Sequence, residues 1–204
     1  MTKHWVIFRK NLGFDHQNTN NVEATAEKIL TYNDLLKLYP DEARVELIDN
    51  EIYEMSAPTS EHQRIVKKIA RLLDDFVEEK VLGELFLSPY DVILNEEQTV
   101  QPDLTFIGTA DLDKVQTRGF FGVPTLLVEV ISPSSYTRDN SKKKKIYAEA
   151  GVKEYWIVEP ANQVVEIWKL TGKEYELHSY LIESGVAQSA ILEGFELAGK
   201  SIFG

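Results

Sequence analysis

Two stretches place acids where strands disfavour them, residues 100–107 (VQPDLTFI) and 125–132 (TLLVEVIS). In the second, Leu126, Leu127, Val128, Val130 and Ile131 surround Glu129. An uninterrupted apolar run of that length reads as a strand buried on both faces. A carboxylate inside it costs several kcal/mol unless it is paired or holds a cation. Asp103 stands behind Pro102, and Leu104, Phe106 and Ile107 follow. Proline is tolerated at the first position of a strand, so Asp103 should open one. Taken singly, either acid would ordinarily face water or pair with a nearby Lys or Arg. Together, on adjacent strands and aimed at one point, they offer the oxygen ligands that a hard divalent cation takes.

The elements that must position these acids can be read in order. Residues 1–28 carry little pattern, and the Asn-rich stretch 11–21 reads as a loosely ordered extension. A single folded domain is expected over residues 29–204. Thr31 and Asp34 have capping-box spacing, and Leu35, Leu36 and Leu38 give a short helix that Pro40 ends. Residues 44–48 and 51–55 read as strands joined by Asp49-Asn50, a dipeptide tolerant of positive φ. Alternation puts Glu46 and Ile48 on one face of the first strand, and the local pattern alone leaves Glu46 outward and solvated. Ser60 and Gln63 match a capping box for a helix reaching Glu79, with Ile65, Ile69, Leu72, Leu73 and Phe76 as its buried face. His62 falls in its first turn, where a histidine is ordinarily a packing or capping residue.

Residues 85–94 and 100–107 read as two strands joined by the polar turn 95–99, and residues 111–119 as a loop or short helix. Ser132-Pro133 ends the Glu129 strand. Asp139, after Ser134, Ser135 and Thr137, suits a helix N-terminus, and Gly151 suits the C′ position of that helix. Asp139, Lys143 and Tyr147 recur at i, i+4 and i+8 on one face, so Lys143 alone of the lysine run 142–145 is in register with Tyr147. Residues 154–158, 164–169 and 175–181 form a meander. Its aromatics Tyr155, Trp156, Trp168 and Tyr175 are expected in the core, with a dimer contact as the other possibility.

The 204 residues suit one domain with a full core. The absence of cysteine excludes disulfides, zinc-thiolate sites and cysteine nucleophiles. No apolar run reaches the roughly 18 residues of a membrane span, and the first ten residues do not read as a signal peptide. A cytoplasmic protein is the expectation. The net charge of −11 weighs against coating nucleic acid by bulk electrostatics, but it leaves room for a metal site beside one basic patch.

The stretches VELIDNEIYEMSAP, EHQRIVKKIARLL, VQPDLTFI, VPTLLVEVISPSS, RDNSKKKKIYAEAGVKEYWIVEP and VVEIWKL together resemble the Uma-type family of restriction endonucleases, within the PD-(D/E)XK nuclease superfamily. They span roughly residues 31–200 in the family's order. EVISPSS, then D-x-x-x-K-x-x-x-Y, then GVKEYWIVEP, carries the specificity; the PD pair alone does not. The resemblance implies an α/β (α+β) fold: a restriction-endonuclease-like core with a central mixed β-sheet flanked by helices, and added antiparallel strands. It implies that Asp103 and Glu129 bind Mg²⁺ or Mn²⁺, and that Glu46 is the early acid completing the metal site. His62 becomes an auxiliary catalytic group. The superfamily's lysine stands two residues after the second acid, and here that position is Ile131. The resemblance moves the role to Lys143, which requires its helix to pack over the end of the Glu129 strand. The implied activity is metal-dependent hydrolysis of DNA phosphodiesters, with a symmetric homodimer as a guess. The alternatives are a catalytically silent module that keeps the fold and a phosphodiesterase acting on RNA.

Overall fold

Two six-stranded sheets share an apolar layer, and helices cover their far sides. The computed structural model describes residues 28–131 and 138–204, with the side chains of residues 138–140 outside the description. The expected extension therefore lies outside the described residues, as do Ser132-Pro133, the turn at Ser134, Ser135 and Thr137, and the side chain of Asp139. The helix α1 (Tyr32–Leu38) leads into strands β1 (Val45–Ile48) and β2 (Glu51–Glu54), and the long helix α2 (Ser60–Glu79) follows. Next come β3 (Gly83–Leu87), β4 (Asp91–Asn95), β5 (Gln98–Val100) and β6 (Leu104–Gly108). A 3-10 turn, Thr109–Lys114, leads to β7 (Val115–Gln116), β8 (Gly119–Phe121) and β9 (Leu126–Val130). The helix α3 (Lys144–Ala150) precedes β10 (Glu154–Glu159), β11 (Val164–Thr171) and β12 (Glu174–Ile182). The chain ends through β13 (Val186–Gln188), β14 (Glu196–Ala198) and α4 (Gly199–Phe203).

Among the described residues, one sheet has the order β2-β1-β5-β4-β8-β7, the second β12-β11-β10-β9-β6-β3, and β13 pairs with β14 in a small third. In the second, β9 and β10 run parallel and the remaining pairs are antiparallel. This is the mixed sheet with flanking helices that the resemblance implied; the added strands build the other six-stranded sheet, which is antiparallel except for the parallel pair β4 and β8.

Side-chain alternation sorts the core. Leu126, Val128 and Val130 of β9 join Leu104 and Phe106 of β6 against the apolar face of α2. Leu127 and Ile131 point the other way, with Tyr155 and Ile157, towards Ile146 and Tyr147 of α3 and Ile48, Val92 and Val100 of the first sheet. On that sheet's outer face, Tyr32 and Leu35 of α1 pack on Val45, Leu47 and Ile93. Of the four meander aromatics, Tyr155 and Trp156 are fully buried in the core, whereas Trp168 and Tyr175 pack half-buried against it.

Three local readings need correction. The buried face of α2 is Ile65, Val66, Ile69, Ala70, Leu73 and Val77, whereas Leu72 and Phe76 are only half-buried. Its N-cap is Thr59, whose hydroxyl accepts from the His62 N–H at 3.2 Å, and not Ser60. Each of the two long strands expected over 85–94 and 100–107 is split in two. The breaks fall at Ser88-Pro89-Tyr90 and Gln101-Pro102-Asp103, and the halves belong to different sheets. Proline brings no N–H to a ladder, so each proline releases its strand to cross from one sheet to the other.

Candidate active site

The crossings bring the acids together. Leu104 of β6 pairs with Val128 of β9, so one step further out Asp103 stands opposite Glu129. Directly opposite residues of an antiparallel pair share a face. Asp103 is 8% exposed. Its Oδ2 accepts the Val130 N–H at 2.8 Å and lies 3.0 Å from His62 Nε2. Its backbone carbonyl accepts from Ser88 N–H, at the other proline crossing. Among the described residues, its Oδ1 accepts nothing.

Glu129 shares the parity of Leu127 and Ile131 and therefore faces α3. Its Oε1 accepts from Lys143 Nζ at 2.8 Å and from the Tyr147 hydroxyl at 2.9 Å. Lys143 Nζ is also 2.7 Å from Glu46 Oε1, which accepts the Gln101 N–H at 3.0 Å. Glu46 shares its face of β1 with Ile48, and that is the inner face. Its exposure is 0%, which corrects the outward, solvated reading. Alternation along β1 was legible; which side held the second sheet was not.

Lys143 is 1% exposed and joins acids from two different sheets. α3 does pack over the Glu129 strand, as the resemblance required. The regular i, i+4, i+8 helix does not extend back to Asp139, however: Arg138–Lys143 is a π-helical turn, and the α-helix begins at Lys144. The four lysines then diverge. Lys142 reaches β2, Lys143 enters the site, Lys144 lies over the Trp168 ring, and Lys145 is exposed near Glu149.

Two groups that the sequence did not mark as site residues belong here. Tyr147 is fully buried, and burial, with the nearby Glu129 and Glu46 carboxylates, pushes its hydroxyl well above the ordinary tyrosine range. It therefore stays a hydrogen-bond donor. Its spacing from Lys143 was the available signal. Gln101 had none. Besides its N–H bond to Glu46, its amide donates to Asp91 Oδ1 at 2.7 Å and to the Ala43 carbonyl at 3.2 Å.

His62 is on the first turn of α2 and reaches the site through Asp103. Its Nδ1 is buried and has no hydrogen-bond partner among the described residues. Among those residues, no three His, Asp or Glu side chains stand close enough to cage a metal ion. The donor set nevertheless suits Mg²⁺, which takes one or two carboxylates and leaves the remaining positions to water and substrate phosphate. Asp103 and Glu129 oppose each other, and among the described residues Asp103 keeps one oxygen uncommitted.

A family model described as "Uma2: Putative restriction endonuclease" matches residues 32–199. The chain belongs to that family, and its order of acids and lysine is consistent with the PD-(D/E)XK superfamily. Membership supports a nuclease. Among solved structures, the chain is similar to a crystal structure from Anabaena variabilis described as "a putative nuclease belonging to DUF820". The TM-score is 0.70 at 17% identity, over 85% of this chain and 97% of the other. At that identity the likeness speaks for the fold. No curated protein matches the chain. Among the described residues, no helix is long and apolar enough to cross a membrane.

Proposed function

We propose that the protein is a metal-dependent endonuclease that hydrolyses DNA phosphodiester bonds. One observation carries the reading: a buried lysine is held between Glu46 and Glu129, with Asp103 opposite Glu129 on the next strand. Isolated buried charges are expensive, and three acids with one lysine are an unneeded burden for a module that only binds.

Asp103 and Glu129 would hold Mg²⁺ or Mn²⁺, with Glu46 as the third acid of the site. When bound, the ion neutralises charge that develops on the phosphate. The protein's own groups do the positioning. The Val130 N–H and His62 fix Asp103 by one oxygen, and Tyr147 and Lys143 fix Glu129. Lys143 presents fixed positive charge, able to orient the attacking water and stabilise charge in the transition state. In the reaction, the water oxygen bonds to phosphorus and its proton leaves. The ester oxygen departs with the bond's electron pair and is protonated.

The test is nicking of supercoiled plasmid and cleavage of single-stranded RNA by one preparation, with Mg²⁺, Mn²⁺ or EDTA, beside Asp103→Asn. Metal-dependent DNA nicking lost in the variant is the expected result. Cleavage of RNA alone would move the reading to an RNA phosphodiesterase. No cleavage of either would favour the silent module.

A further inference from the structure

Lys143 sits at the seam where a π-helical turn gives way to α3, a change of hydrogen-bonding pattern frequent at functional sites. Its neighbour is anchored to the hairpin that carries Glu46. Lys142 Nζ donates to the Tyr53 hydroxyl at 2.6 Å and to Glu51 Oε2 at 3.0 Å. The Tyr53 hydroxyl in turn donates to Glu51 Oε2. In the β1–β2 register Tyr53 stands directly opposite Glu46, and Glu51 is two residues away on the same face of β2. Consecutive lysines therefore end on paired positions of one hairpin face: Lys143 on Glu46 of β1, Lys142 on Tyr53 and Glu51 of the edge strand β2.

We infer that Glu51, Tyr53 and Lys142 form a positioning clamp that sets the seam's rotation and so places Lys143 between Glu46 and Glu129. The inference rests on Lys143 serving the nuclease site. The Tyr53 ring packs against the apolar layer between the sheets, which fixes the direction of its hydroxyl. The Lys142 ammonium also lies 5.3 Å from that ring's centroid, so three contacts define its place. Lys142 and Glu51 are 43% and 59% exposed; an ion pair so exposed adds little stability. The clamp acts through direction. The competing role for an exposed lysine beside a nuclease site is a phosphate contact. Tyr53 and Glu51 carry no positive charge, so they separate the two roles.

The experiment uses the full chain as wild type, Tyr53→Phe, Glu51→Gln, Lys142→Met and Lys142→Arg. The first readout is the acylation rate of Lys143 followed by mass spectrometry, without metal or nucleic acid. The clamp predicts that Tyr53→Phe and Lys142→Met speed Lys143 labelling roughly tenfold, the scale of one lost charge-assisted hydrogen bond. Lys142→Arg should recover most of the protection. The second readout is plasmid nicking, where kcat should fall by a similar factor at unchanged KM. Unchanged labelling of Lys143 in both variants would overturn the clamp. So would a raised KM confined to Lys142→Met, with Tyr53→Phe and Glu51→Gln silent. The labelling result stands even if wild type cleaves nothing, in which case only the nuclease reading fails.

Discussion

Lys143 is a buried ammonium shared by two buried carboxylates, Glu46 and Glu129. Taking an ammonium out of water is costly, and contact with two carboxylates offsets that cost. Such an arrangement is poor evidence of net stabilisation, but breaking it leaves acids buried without their counter-charge. Lys143→Met should cost about 3–5 kcal/mol, read as a lower urea midpoint at unchanged slope. An unchanged midpoint would mean that Glu46 and Glu129 are neutralised in some other way. Tyr147 gives a second residue-scale prediction. An unfolded tyrosine loses its proton near pH 10, whereas buried Tyr147 and Tyr175 are held well above that. Above about pH 10 the unfolded chain binds fewer protons than the folded one. Stability from these groups is therefore fully present below that pH and lost progressively as the pH rises from there towards their raised folded-state values. Tyr147→Phe should flatten the alkaline fall in urea midpoints, and an unaltered slope would assign that fall to other groups.

At the scale of elements, α3 is placed as much by its end as by its contacts. Gly151 closes it at φ +97°, and a Cβ there would meet nothing within 4 Å. Gly151→Ala should therefore cost about 1 kcal/mol of conformational strain alone, measured by urea denaturation. A much larger loss would reveal a steric clash instead. This glycine was legible in the sequence, as were the Glu129 strand, the hairpin with positive φ at Asp49 and Asn50, and the span of α2. These features depend on local pattern: alternation, capping and turn chemistry. The splitting of two strands was not legible, because proline marks a break without saying which sheet the next half joins. The burial of Glu46 was hidden for a related reason. A four-residue strand shows which residues share a face, while the neighbour on that face comes from far along the chain. Gln101 was beyond reach because it acts on Glu46 through its main chain.

At the scale of the molecule, the candidate site lies where the two sheets meet: β1 gives Glu46, β9 gives Glu129, Asp103 stands just before β6, and Lys143 ends the π-helical turn that leads into α3. The proline crossings at 89 and 102 tie the sheets together beside it. Resemblance to a nuclease family supplied the order of these residues, and the fold explains why that order converges. The net charge of −11 makes a divalent cation the natural complement of the acids in approaching a phosphodiester. The central claim is that Asp103 and Glu129 hold such an ion. The direct test is calorimetric titration of Mn²⁺ into wild type and Asp103→Asn. One saturable site in wild type, lost or weakened by about tenfold or more in the variant, is the predicted result. Equal binding by both proteins, or binding by neither, would contradict the claim.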